Sequence, residues 1–89
     1  MKDRYLEITF RKGVPFAAYL CFPRKVGSKS VRTEAVGEGL LVDYGSDGHP
    51  IGLEITAPTH VTPDQINAVL EDLGLPPMEP NGLTPLQAA

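Results

Sequence analysis

Eighty-nine residues set the length of one domain. A chain of this size buries only about two thirds of its unfolded surface, so its core is thin and self-association would help to cover it. A hydrophobic share of 42% argues against a disordered chain, and the one cysteine, Cys21, excludes an intrachain disulfide. The net charge of −3 is unevenly spread. Residues 1–32 hold all eight Lys and Arg against Asp3 and Glu7, a net of +6, while residues 33–89 hold nine acids and no base, a net of −9. A basic arm of this kind can bind nucleic acid, and Arg11, Lys12, Arg24, Lys25 and Lys29 would be the residues to do it. The same stretch patterns as strand, and phosphate affinity needs several unopposed cations. Nucleic-acid binding is therefore the secondary expectation. The first residues lack the apolar core of a secretion signal, and no apolar run nears the roughly 20 residues that span a bilayer. A cytoplasmic protein with no membrane association is expected.

Residues 5–10 alternate, with Leu6, Ile8 and Phe10 on one side and Tyr5, Glu7 and Thr9 on the other, which predicts a half-buried strand. Arg11-Lys12-Gly13 is a turn signal. Residues 14–22 form a second strand with Phe16, Ala18, Leu20 and Phe22 on one face and Ala17, Tyr19 and Cys21 on the other. Such a strand is covered on both sides. Pro15, which cannot donate to a ladder, belongs at its start or at an edge. A loop over 23–30 leads to a third alternating strand at 29–36. Gly37-Glu38-Gly39 turns into a strand at 40–44, and Gly45-Ser46-Asp47-Gly48 turns into a last strand at 50–56.

The character changes after Pro58. Thr62 reads as a helix N-cap, Pro63 as the first helical residue, and Gln65 closes a capping box. Ile66, Val69, Leu70 and Leu73 share one helical face, and Gly74 is the expected C-terminal cap. Pro76, Pro77, Pro80 and Pro85 make residues 75–89 an extended tail. The fold class is α+β, mainly β: an antiparallel meander of about five strands with one C-terminal helix packed on the sheet. The domain covers 1–74, with strands over 4–56 and the helix over 63–73.

Hydrophobic patterning suggests a register. Tyr44 opposite His49 places Val42 opposite Ile51 and Leu40 opposite Leu53. A two-residue turn at Gly37-Glu38 places Ala35 opposite Leu40, Thr33 opposite Val42 and Val31 opposite Tyr44. These side chains would face the core. The other face would gather Arg32 opposite Asp43, with Glu34 and Glu54 nearby. Arg32, Glu34, Asp43 and Glu54 are thus the candidate polar binding face, with an Arg32–Asp43 ion pair across it.

No residue set has the spacing of an active site. Asp43, Asp47, Gly48 and Glu54 fall at four positions of a calcium loop, but Gly45 stands where an Asp or Asn is needed and the flanks read as strands. Cys21, His49 and His60 lack the short spacing of zinc ligands. Cys21 on a strand reads as a small buried hydrophobe. Neither a catalytic residue, a metal nor a cofactor is expected, and a small metal-dependent hydrolase is the least favoured reading.

The ordered set Ala18-Tyr19-Leu20, Val31-Arg32-Thr33-Glu34, Leu41-Val42-Asp43-Tyr44, Asp47-Gly48 and Ile51-Gly52-Leu53-Glu54-Ile55 resembles the DUF2283 family of small bacterial domains of unknown function. The resemblance covers residues 4–58. It implies a compact β-rich domain and brings no established catalytic residues. Relatives that look like partners of neighbouring toxin-like genes make an antitoxin-like role conceivable by analogy. The expected function is a non-catalytic protein-binding or regulatory module, self-associating as a homodimer or binding another protein. An edge strand such as 5–10 would be its docking element.

Overall fold

A computed structural model of the chain describes residues 5–23 and 29–79. Five antiparallel strands, β1 (Tyr5–Arg11), β2 (Val14–Cys21), β3 (Arg32–Gly37), β4 (Leu40–Tyr44) and β5 (Pro50–Ile55), precede one helix, α1 (Pro63–Asp72). A 3₁₀ turn at Pro58–His60 connects the sheet to the helix. The fold class is as the sequence predicts.

The strand order is β1-β2-β5-β4-β3, which departs from a simple meander. β2 does not pair with β3, its successor in the chain; it pairs with β5. The composition of the strands explains why. β2 is apolar on both faces and needs a neighbour of the same kind. β5 supplies Leu53 and Ile55, whereas β3 would bring Arg32 and Glu34 into the middle of the sheet, where charge is costly to bury. β3 is left at one end of the sheet and β1 at the other.

The turns follow local chemistry. Lys12 and Gly13 both have positive φ (53° and 79°), the twist a two-residue hairpin turn requires. At the β4–β5 turn the Gly45 amide donates to the His49 carbonyl and Gly48 to that of Gly45. The Asp47 carboxylate accepts from the His49 amide at 3.1 Å, and that bond holds its pKa below the usual value.

The core lies between one sheet face and α1. Ala18, Leu20, Phe22, Leu40, Val42, Leu53 and Ile55 meet Val61, Ile66, Val69 and Leu70. Leu20, Val42, Leu53 and Leu70 are 0% exposed. Each such side chain stabilises the fold by roughly 1.5–3 kcal/mol relative to exposure. Leu6, Ile8 and Tyr44 pack against the rim of this cluster.

Two registers differ from the patterned expectation. Between β4 and β5, Val42 lies opposite Leu53 and Leu40 opposite Ile55, two residues from the expected pairs. One residue of the difference arises in the turn, where Tyr44 pairs with Pro50 and not with His49, and the other at an irregularity between Asp43 and Tyr44. Because side chains alternate with period two, that slip leaves Leu40, Val42, Ile51 and Leu53 buried as expected. Between β3 and β4 the slip is one residue: Thr33 lies opposite Asp43 and Arg32 opposite Tyr44. The irregularity falls between Ala35 and Gly37. It turns Thr33 and Ala35 away from the core, and Val31, Thr33 and Ala35 are all exposed. Phe10 and Phe16 also leave the core, at 54% and 52% exposure, beside a third irregularity between Thr9 and Phe10.

α1 starts as its sequence dictates. Thr62 Oγ1 accepts from the Gln65 amide at 3.2 Å, and Gln65 Oε1 accepts from the Thr62 amide at 2.8 Å. Its end is a Schellman motif: Leu75 N–H bonds the Leu70 carbonyl, Gly74 N–H bonds that of Glu71, and Gly74 has φ 75°. The chain beyond Gly74 turns back along the helix. Asn67 Oδ1 accepts from the Met78 amide at 2.8 Å, and its Nδ2 donates to the Met78 carbonyl at 3.3 Å. Leu75 and Met78 thereby pack on the core. The rest of the proline-rich tail, residues 80–89, lies outside the described residues, as do Arg24 and Lys25.

Replacing Asn67 with Ala is expected to release this segment. The Met78 amide should lose its protection from hydrogen exchange while the amides of Val69 and Leu70 keep theirs. Equal loss at all three would mean that Asn67 supports the helix itself.

Candidate functional site

The sheet face opposite α1 carries the polar residues. Strand pairing sets them in rows. Tyr5, Cys21, Gly52, Asp43 and Thr33 form one row across the sheet, and Glu7, Tyr19, Glu54, Leu41 and Ala35 form the next. Asp43 is the only charged residue among the buried described residues, at 7% exposure. Two hydroxyls satisfy its carboxylate. Tyr19 Oη donates to Oδ2 at 2.9 Å, and Thr33 Oγ1 donates to Oδ1 at 2.6 Å. Hydrogen bonds to a charged acceptor are the stronger kind.

Tyr19 reaches Asp43 by lying across Gly52. A Cβ at position 52 would collide with the Tyr19 ring and hydroxyl. Glycine in the middle of β5 is thus required by the close approach of a side chain from β2.

Glu54 stands opposite both Tyr19 and Leu41. Burial first, then the hydrogen bond and negative charge of Asp43, raise its carboxyl above the ordinary value of 4.5. At the near end of the face, the Tyr5 hydroxyl is pushed up to about 12. The hydrogen bond to Cys21 is the main cause, followed by electrostatic repulsion from that sulfur, with smaller effects of burial and Glu7. A shallow cleft of about 230 Å³ opens beside this row, lined by Glu7, Thr9, Ala17, Tyr19, Glu54 and Thr56 among others.

The four candidate residues divide between the two faces. Asp43 and Glu54 come together as expected. Arg32 and Glu34 do not join them. The one-residue slip of β3 puts both on the helix side, where Arg32 stacks over the Tyr44 ring at 4.3 Å and pairs with Glu34 at 3.0 Å. The expected Arg32–Asp43 pair is replaced by the Thr33–Asp43 hydrogen bond. Tyr19 and Thr33 are the site residues that pattern reading misses. Gly52 is the signal for the first, because a strand-interior glycine marks a close approach.

The arrangement offers hydrogen-bond acceptors on a nearly flat face. Among the described residues, no three of His, Cys, Asp and Glu converge in a way that could hold a metal ion, and Cys21 is buried. Arg11 and Lys12 sit at the β1–β2 turn, with Arg11 over the Phe16 ring at 5.2 Å. No helix among the described residues is long and apolar enough to cross a membrane. No family model matches the chain, and no curated protein or solved structure matches it.

Gly52→Ala is expected to lower stability by about 1–3 kcal/mol by forcing the Tyr19 ring aside. Adding Tyr19→Ala should cost less than the sum of the two single changes, as measured by urea unfolding of all four proteins. Strictly additive losses would show that the ring does not claim that space. Glu54 makes the stability of this face depend on pH. A carboxyl raised in the folded state binds its proton more tightly there than when unfolded. Its contribution is present below the ordinary value and is lost as the pH rises through the folded value. Relative to wild type, Glu54→Gln should therefore grow more stable as the pH is raised from below 4.5 to neutrality. A difference independent of pH would contradict the raised carboxyl.

Proposed function

We propose that this chain is a non-catalytic protein-binding module that takes its partner by strand addition at the β3 edge of the sheet. The observation that carries this reading is the state of β3. It is an end strand, all six of its residues are exposed, and among the described residues no strand lies outside it. Val31 and Val36 add apolar surface there, at 64% and 41% exposure. An end strand presents a row of main-chain donors and acceptors that a second extended chain satisfies, and flanking side chains give specificity. β1 is the other end strand, but Leu6 and Ile8 are committed to its own core. The DUF2283 resemblance is compatible with such a role, and a regulatory or antitoxin-like use of the module belongs to the same proposal.

Capture from the native cell with wild type and with a Val31→Lys/Val36→Lys variant tests it. Lysine on an edge blocks strand addition without touching the core. The partner retained by wild type should be lost from the variant, with the melting temperature unchanged. Identical partners on both would refute docking at β3.

A further inference from the structure

We infer that β3 pairs antiparallel with β3 of a second copy of this chain, about a two-fold axis through Thr33. This rests on the strand-addition reading and names the occupant of the edge. Charge complementarity selects that occupant. Arg32 and Glu34 lie two residues apart on one face of the strand and already pair with each other at 3.0 Å. With Thr33 opposite the second copy's Thr33, Arg32 faces the second copy's Glu34 and Glu34 faces its Arg32. Four charges then alternate in sign around a square, and each has an opposite neighbour both along and across the strands. Directly opposed unlike charges stabilise an antiparallel pair, and like charges destabilise it.

Neighbouring registers lack this match. Centring the axis on Arg32 sets Arg32 against itself, and centring it on Glu34 does the same for Glu34. Centring it on Ala35 leaves Glu34 facing Val36, beside the irregularity between Ala35 and Gly37. The Thr33-centred register also puts Val31 opposite the second copy's Ala35 on the face away from α1. The exposed valine thereby gains an apolar neighbour.

The operation is a closed, isologous two-fold, so it makes dimers and not fibres. The two sheets continue into one, with both helices on the same side. So short a strand pairing buries less than the roughly 1,200–2,000 Å² of a stable interface. The dimer is accordingly weak, concentration-dependent and favoured by low salt.

Sedimentation equilibrium and native mass spectrometry at low salt test this with four proteins. Wild type should show a monomer–dimer equilibrium. Arg32→Glu and Glu34→Arg should each weaken it by about tenfold or more, since each sets like charges opposite one another twice. Mixing the two variants in equal amounts should restore dimers, now hetero-dimers. The first variant has two acids on its edge and the second has two bases, so every charge meets its opposite across the pair. The Arg32→Glu/Glu34→Arg variant should dimerise as wild type does. A wild type that stays monomeric at all concentrations would overturn the dimer while leaving strand addition by another protein intact. Dimers insensitive to the single reversals, or variants that do not rescue each other on mixing, would overturn the register. If the Val31→Lys/Val36→Lys variant still captures every partner, strand addition itself fails.

Discussion

The contact between β2 and β5 joins the two halves of the fold. Leu20 faces Leu53 at the centre of the sheet, and both are fully buried together with Leu70 of the helix. One hairpin, β1–β2, meets the run β3-β4-β5 along this line. The contact provides the apolar floor that α1 covers. It also brings Tyr19 on β2 within reach of Gly52 on β5 and Asp43 on β4. Without this seam neither the core nor the polar face exists, since each draws residues from both halves of the chain.

Much of the architecture is legible in the sequence because it is locally encoded. Alternation marks the strands, and Thr62, Pro63, Gln65 and Gly74 mark both ends of the helix. Each of those signals acts within a few residues. The strand order is harder to see because it depends on a comparison between distant segments. The relevant clue is present all the same: β2 is apolar on both faces, β5 carries Ile51, Leu53 and Ile55 with one charge, and β3 is the most polar strand. The one-residue error at β3 has a different origin. An extra residue accommodated in the backbone between Ala35 and Gly37 leaves no mark in the hydrophobic pattern, yet it exchanges the two faces of the strand. Pattern reading places Asp43 and Glu54 together correctly because the slip between β4 and β5 is even. It fails for Arg32 and Glu34 because the slip of β3 is odd.

The two faces of the sheet handle charge in opposite ways. Asp43 is held inside, with a donor on each oxygen, and its neighbour Glu54 bears the electrostatic consequence. Arg32 and Glu34 stay in solvent, half exposed, and pair loosely along an edge. Buried charge of the first kind fixes a unique arrangement of β2, β3, β4 and β5 around one carboxylate. Exposed charge of the second kind contributes little to folding, since surface pairs give about 0–1 kcal/mol, and is free to set which surface this one meets.

The placement of Cys21 has a practical consequence. It is the only thiol in the chain, it is 4% exposed, and it lies on β2 between Tyr5 of β1 and Gly52 of β5. Movement of a covering side chain such as Tyr5, or parting of the strands, exposes it to an alkylating reagent. The rate of thiol labelling under native conditions therefore reads local opening around β2. The protein carries its own single-site reporter of local unfolding, with no engineered label required.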